Sequence, residues 1–178
     1  MLFVDYVRMI RGRKDVDWMP YLDGADLAYL SQPIEPAGWY PMETFERLGV
    51  AILKEIAHGQ QEGVRMWGRF QVLTSRKQFP DLVAEGSPRE TLMRFRTLSR
   101  GFFDYDAVDI IDVEDEEATV SIAYRMGTLA EETACNQSLG FFEGLVEAAG
   151  GKETRAGFAS CSWNGAKRTQ IRLLWVNP

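Results

Sequence analysis

The chain has 178 residues, 46% of them apolar and 12% aromatic, with 20 basic against 26 acidic side chains. That apolar share is enough for one principal core and excludes a disordered acidic tail, while a net charge of -6 sets the chain as a whole against nucleic acid and anionic lipid. No apolar run approaches the about twenty residues that a bilayer span needs, and Asp5 and Arg8 interrupt the N-terminal stretch where a signal peptide would be purely apolar. The expectation is a cytoplasmic protein with no membrane or nucleic-acid partner and with its two cysteines reduced.

In chain order, residues 1–32 read as two helical pieces broken near Gly12 and Pro20, the first carrying Leu2, Phe3, Tyr6, Met9 and Ile10 on one stripe. Pro33, Pro36 and Gly38 then stop any helix, which divides an N-terminal helical arm, residues 1–36, from an α+β ligand-binding-like domain, residues 37–178. The arm docks on the body or exchanges in a dimer. A helix from Pro41 to about Ala57 turns Phe45, Leu48, Ile52, Leu53 and Ile56 inward and ends at His58-Gly59. Val64 to Leu73 reads as a shorter helix, and Phe79 to Val83 as a further turn or two. Ser87-Pro88-Arg89-Glu90 joins a capping serine to a first-turn proline and predicts a helix to about Phe103.

Val108 to Val113 and Ala118 to Tyr124 alternate apolar and polar around the acidic turn Glu114 to Glu117, which predicts a hairpin. Thr128 and Glu131 read as a capping box opening a helix that runs to Gly150-Gly151, with Cys135, Ser138, Phe142, Leu145 and Ala149 on one buried face beside Phe141 and Val146. Arg155 to Ser162 and Thr169 to Val176 close the chain as a second hairpin around Asn164-Gly165. The expected fold class is α+β, an antiparallel four-stranded sheet of two hairpins packed with about five helices plus the N-terminal helical arm.

Several chemistries lack their motifs. His58 is the only histidine and reads as a helix-end cap, and no G-x-S-x-G elbow stands beside it for triad hydrolysis. No glycine-rich phosphate loop is present, and the acidic run Glu114 to Glu117 lacks calcium-loop spacing. Glu131 and Glu132 read as first-turn capping, and Arg89, Arg94, Arg96 and Arg100 as a solvated helix face. Cys135 and Cys161 fall short of the four ligands of a zinc site and read as small buried apolar residues. What remains is aromatic. Trp39, Trp67, Phe95, Phe102, Phe141 and Phe142 are the candidate ligand-binding residues of a mostly apolar cavity between helices and sheet.

Gly38-Trp39-Tyr40-Pro41 with Phe45-Glu46, then Trp67-Gly68-Arg69, then Gly86-Ser87-Pro88, and finally the span from Cys135 through Gly140, Gly150-Gly151 and Cys161 to Trp175, resemble uncharacterised families abundant in myxobacteria. Those in turn are similar to the superfamily of 4-vinyl-reductase-type, haem-nitric-oxide-associated and Golgi transport-particle domains. The resemblance covers residues 38–176 and implies a small-molecule-binding or sensory domain, dimeric, with an antiparallel sheet, flanking helices and a hydrophobic pocket. Aromatic-sensing relatives hold zinc on a cysteine cluster. Cys135 and Cys161 match two of its positions, whereas the returning strand has Arg168 and Thr169 in place of a further cysteine and Phe158 stands where a carboxylate would help. The Y-x-S-x-R motif that grips haem propionates in the nitric-oxide sensors is absent. The cofactor expectation is therefore none, with Cys135 and Cys161 the residual candidates for zinc.

The functional expectation is a non-catalytic small-molecule-binding or sensory domain for an apolar or aromatic ligand, acting through a homodimer or a signalling partner. A scaffolding module without ligand is the alternative. A reductase of tetrapyrrole-type substrates using Cys135, His58 or Glu132 ranks last, because no spacing forces any two of them together.

Overall fold

A computed structural model describes residues 2–178, the side chain of Leu2 excepted. The elements are α1 (Leu2–Gly12), α2 (Gly24–Ser31), α3 (Met42–Glu55), α4 (Gln61–Gln78), α5 (Pro88–Ser99), β1 (Val108–Val113), β2 (Glu117–Ile122), α6 (Thr128–Ala148), β3 (Lys152–Ser160) and β4 (Thr169–Val176). The fold class is the expected α+β. Both predicted hairpins form, and β2 pairs with β4 between them to give one antiparallel sheet in the order β1-β2-β4-β3. Strict alternation along β4 buries Thr169, Ile171, Leu173 and Trp175 on one face, as period-two pleating requires.

Helix α6 lies on that face. Its Cys135, Leu139, Phe142, Leu145 and Val146 meet Ile110, Val120, Ile122, Ile171 and Leu173 in the main core. A second core joins α1, the loop after it and α3 through Phe3, Tyr6, Val7, Ile10, Trp18, Leu22, Leu48 and Ile52. The helix α2 is fixed to α3 by the fully buried Asp26, whose carboxylate takes a two-pronged contact from Arg47 at 2.5 and 2.9 Å and also accepts the Asp23 N–H. Among the described residues no helix is long and apolar enough to cross a membrane.

Some local expectations change. Helix α4 extends to Gln78, five residues beyond Leu73, because nothing before Pro80 stops it, and Phe79 to Val83 form turns rather than a helix. Helix α5 ends at Ser99, so Phe102 and Phe103 lie in the following loop. The capping box at α6 does not form: Gly127 is the cap, and the buried Glu131 carboxylate instead accepts the N–H groups of Tyr124 at 3.1 Å and Met126 at 3.0 Å. His58 (φ 51°) and Gly59 (φ 75°) reverse the chain after α3, leaving the imidazole exposed on a turn.

Helix α4 crosses α6 at glycines on both sides. A Cβ on Gly68 would lie 2.0 Å from the Gln137 carbonyl oxygen, and one on Gly140 would lie 1.8 Å from that of Arg65. Arg65 and Arg69 of α4 bind the Glu143 carboxylate of α6 at the edge of the crossing.

Alanine has the higher helix propensity by about 1 kcal/mol, yet Gly68→Ala must separate two backbones. It is expected to lose about 2–3 kcal/mol in urea unfolding, whereas Gly63→Ala, whose Cβ meets only Ala57 at 3.4 Å, stays within experimental error or gains. Burial pushes the Asp26 carboxyl up, but the bonds from Arg47 and the Asp23 amide outweigh it and hold the group below its ordinary value. A depressed folded-state value contributes stability above the ordinary carboxylate range and loses it as pH falls through the folded value. Asp26→Asn is therefore expected to destabilise by about 3 kcal/mol at pH 7, and the gap from the parent should shrink on titration below pH about 4.

Candidate functional site

A cavity of about 60 Å³ opens between α4, α5, α6 and the loop after α5. Seven phenylalanines (45, 79, 95, 102, 103, 141 and 142) line it, together with Leu82, Leu98, Val108 and Ala134. Phe95 is the hub, with ring centroids 5.3 Å from Phe141, 5.1 Å from Phe142 and 6.2 Å from Phe102. These tilted and edge-on contacts suit the ring quadrupoles.

Of the six aromatic residues expected at a binding site, the structure brings Phe95, Phe102, Phe141 and Phe142 together on this cavity. It does not bring Trp39 or Trp67. Trp39 is 69% exposed, because in the extended stretch before α3 it is the neighbouring Tyr40 that turns inward to stack on Phe3 at 4.0 Å. Trp67 faces α1, its ring 5.0 Å from that of Tyr6, and belongs to the N-terminal core.

The polar part of the wall is a buried hydrogen-bonded chain. The Tyr6 hydroxyl donates to Gln137 Oε1, and Gln137 Nε2 donates to Gln71 Oε1 at 2.7 Å. Gln71 Nε2 and, one turn on, Ser75 Oγ are buried, line the cavity and have no hydrogen-bond partner among the described residues. An unmet buried donor costs about 1–3 kcal/mol, and two such atoms face this cavity. Nearby, Tyr124 and Ser138 share their hydroxyls at 2.6 Å, and burial pushes the Tyr124 phenol far above its ordinary range, which keeps it protonated. Gln71, Ser75 and Gln137 escaped sequence reasoning. The available signal was polar residues at buried helical spacing, Gln71 and Ser75 four apart, and it was lost because the predicted helix stopped at Leu73.

Cys135 is fully buried in the main core and Cys161 half-buried at the end of β3. Burial raises both thiols above the usual range, which works against the thiolate a metal requires. Among the described residues no group of three or more His, Cys, Asp or Glu stands together as a metal site. Arg168, which replaces the expected further cysteine, clamps the loop edge: its guanidinium donates to Ser121 Oγ at 2.7 Å and to the carbonyls of Asp106 at 3.2 Å and Ala107 at 3.5 Å.

No protein-family model and no curated protein matches the chain by sequence. Solved structures match by fold. One described as probing haem distortion in the H-NOX family is 15% identical, with a TM-score of 0.67 over 99% of this chain and 94% of its own. A T. tengcongensis H-NOX mutant is 16% identical, with a TM-score of 0.65 over 98% of this chain and 95% of its own. An S. oneidensis H-NOX protein in its Fe(II)NO state is 9% identical, with a TM-score of 0.65 over 99% of this chain and 98% of its own. This likeness agrees with the haem-nitric-oxide part of the resemblance and lies in the fold. It also corrects the expectation of no cofactor with zinc as the remainder, since the solved domains of this architecture are haem proteins.

The cavity's own residues do not fit an axially ligated haem. Its lining holds no histidine, cysteine, methionine, lysine or arginine, and its one ligand of a suitable type, Tyr124, stays protonated and bonded to Ser138. What the arrangement presents is a small phenylalanine-walled space with unpaired polar atoms on Gln71 and Ser75.

Removing the clamp should open this site. Arg168→Ala is expected to lose about 1–2 kcal/mol of stability and to speed hydrogen–deuterium exchange across residues 101–107 with little change in α6.

Proposed function

We propose that this chain is a non-catalytic sensory domain that binds a small, mostly apolar aromatic molecule bearing one hydrogen-bond acceptor, and that it passes occupancy to a second copy or a partner protein. The observation that carries the reading is the pair of unpartnered buried atoms, Gln71 Nε2 and Ser75 Oγ, in a cavity otherwise walled by phenylalanine. An apolar wall supplies affinity by burial, and a few placed polar groups supply orientation. The absence of any charged residue from the lining speaks against acid–base chemistry on the ligand. The chain from Gln71 through Gln137 to Tyr6 supports a route for the signal, because it ties the cavity to α1.

The reading is tested with a matched pair of probes, acetophenone and ethylbenzene, which share a skeleton and differ in a carbonyl acceptor. Acetophenone is expected to bind about three- to tenfold more tightly by calorimetry, the worth of one neutral hydrogen bond, and Gln71→Met should abolish the difference. Equal binding, or none by either probe, would refute the proposal. Titration with haemin is the third arm: a stoichiometric absorbance shift would show that a porphyrin enters despite the missing axial ligand and would replace the small-aromatic reading.

A further inference from the structure

Helix α4 carries apolar residues on the side turned away from the core as well. Met66, Phe70 and Leu73 are 51%, 62% and 60% exposed and, at i, i+4 and i+7, form one row along the helix. The inner face of α4 is already sealed against α6 at Gly68, so nothing in the chain covers this row. Isolated exposed apolar residues are ordinary, but three large ones in a row on a rigid helix are not.

The sequence of α4 says what would cover it. Turned antiparallel about a two-fold axis between Arg69 and Phe70, a second α4 sets Met66 against Leu73 of the other copy at both ends of the row. Phe70 then meets the aliphatic stem of Arg69 of the other copy, whose guanidinium is held by Glu143 and Glu147 of its own chain. The same operation sets Glu62 opposite Lys77 of the other copy, twice, and Gly63 opposite the long side chain of Arg76. Neither Glu62 nor Lys77 takes part in an ion pair among the described residues. A single helix face thus complements itself in shape and charge under the symmetry that most homodimers use.

We propose that the outer face of α4 is a homodimer interface in which two α4 helices pack antiparallel about that axis. This deepens the dimer clause of the proposed function and does not depend on the cavity ligand. A helix of 18 residues spans about 27 Å, so the contact sits at the small end of specific interfaces, below about 1,200 Å². The dimer is therefore reversible and concentration-dependent. Because Gln71 and Ser75 lie on the same rigid helix, the cavity and the interface share one element.

The test is sedimentation velocity on the full chain under reducing conditions, from low micromolar to high micromolar concentration. The parent is expected to shift from monomer to dimer, and Phe70→Glu to remain monomeric while keeping its circular dichroism and its acetophenone binding. Glu62→Lys and Lys77→Glu should each weaken the dimer roughly tenfold, two like-charge contacts replacing two ion pairs, and the double variant Glu62→Lys/Lys77→Glu should restore it. A parent that stays monomeric throughout, a dimer indifferent to Phe70→Glu, or charge reversals that fail to rescue one another would each overturn the interface. None of these results touches the ligand reading, which is measured on monomer and dimer alike.

Discussion

The backbones of α4 and α6 touch where Gly68, Gly140 and Gly144 leave out the side chains that would hold the helices apart. With the helices drawn together, Gln137 reaches Gln71 directly and the Tyr6 hydroxyl from α1 closes the chain. The position of α4 against the sheet-bound α6 also defines the cavity: its floor is α6, and its walls are α5 and the loop after it. Loss of the crossing would remove both the polar chain and the space beside it. Arg65, Arg69 and Glu143 hold the same crossing at its rim, with Glu143 itself buried.

A buried polar chain that ends on an unmet donor is an uneasy thing to keep in a hydrophobic interior. A fully apolar wall of the same shape would be as stable or more so, and a half-satisfied network is worse than none. That cost stands beside a phenylalanine-lined space, and it is the observation on which the proposed ligand reading rests. The unmet polar atoms are few and come from one helix, α4.

The fold and the chemistry of this chain point in somewhat different directions, which is common where one architecture hosts many sites. Its architecture is that of solved H-NOX domains over nearly the whole length. Its cavity has aromatic walls without an imidazole, and its single histidine stands on an exposed turn between α3 and α4. The Y-x-S-x-R motif is absent, and the one tyrosine lining the cavity, Tyr124, shares a hydroxyl pair with Ser138.

Local patterns decided the secondary elements. The Ser87-Pro88 start of α5, the two alternating hairpins and the long apolar face of α6 depend on spacing and capping that neighbouring residues settle among themselves. Four of the six aromatic candidates also reach the cavity, because Phe95, Phe141 and Phe142 lie on the buried faces of their helices and Phe102 follows directly on α5. Sequence could not distinguish Trp39 from Tyr40, since in an extended segment which of two adjacent rings turns inward depends on what waits there, here Phe3 from α1. Nor could it show that Glu131 would abandon its own helix end for the amides of Tyr124 and Met126. The approach of Gly68 to Gln137 and the meeting of Tyr6, Gln137 and Gln71 join residues 66 to 131 positions apart. Periodicity carries no information at that separation. The elements are local consequences of the sequence, while the site exists only where packing brings distant elements together.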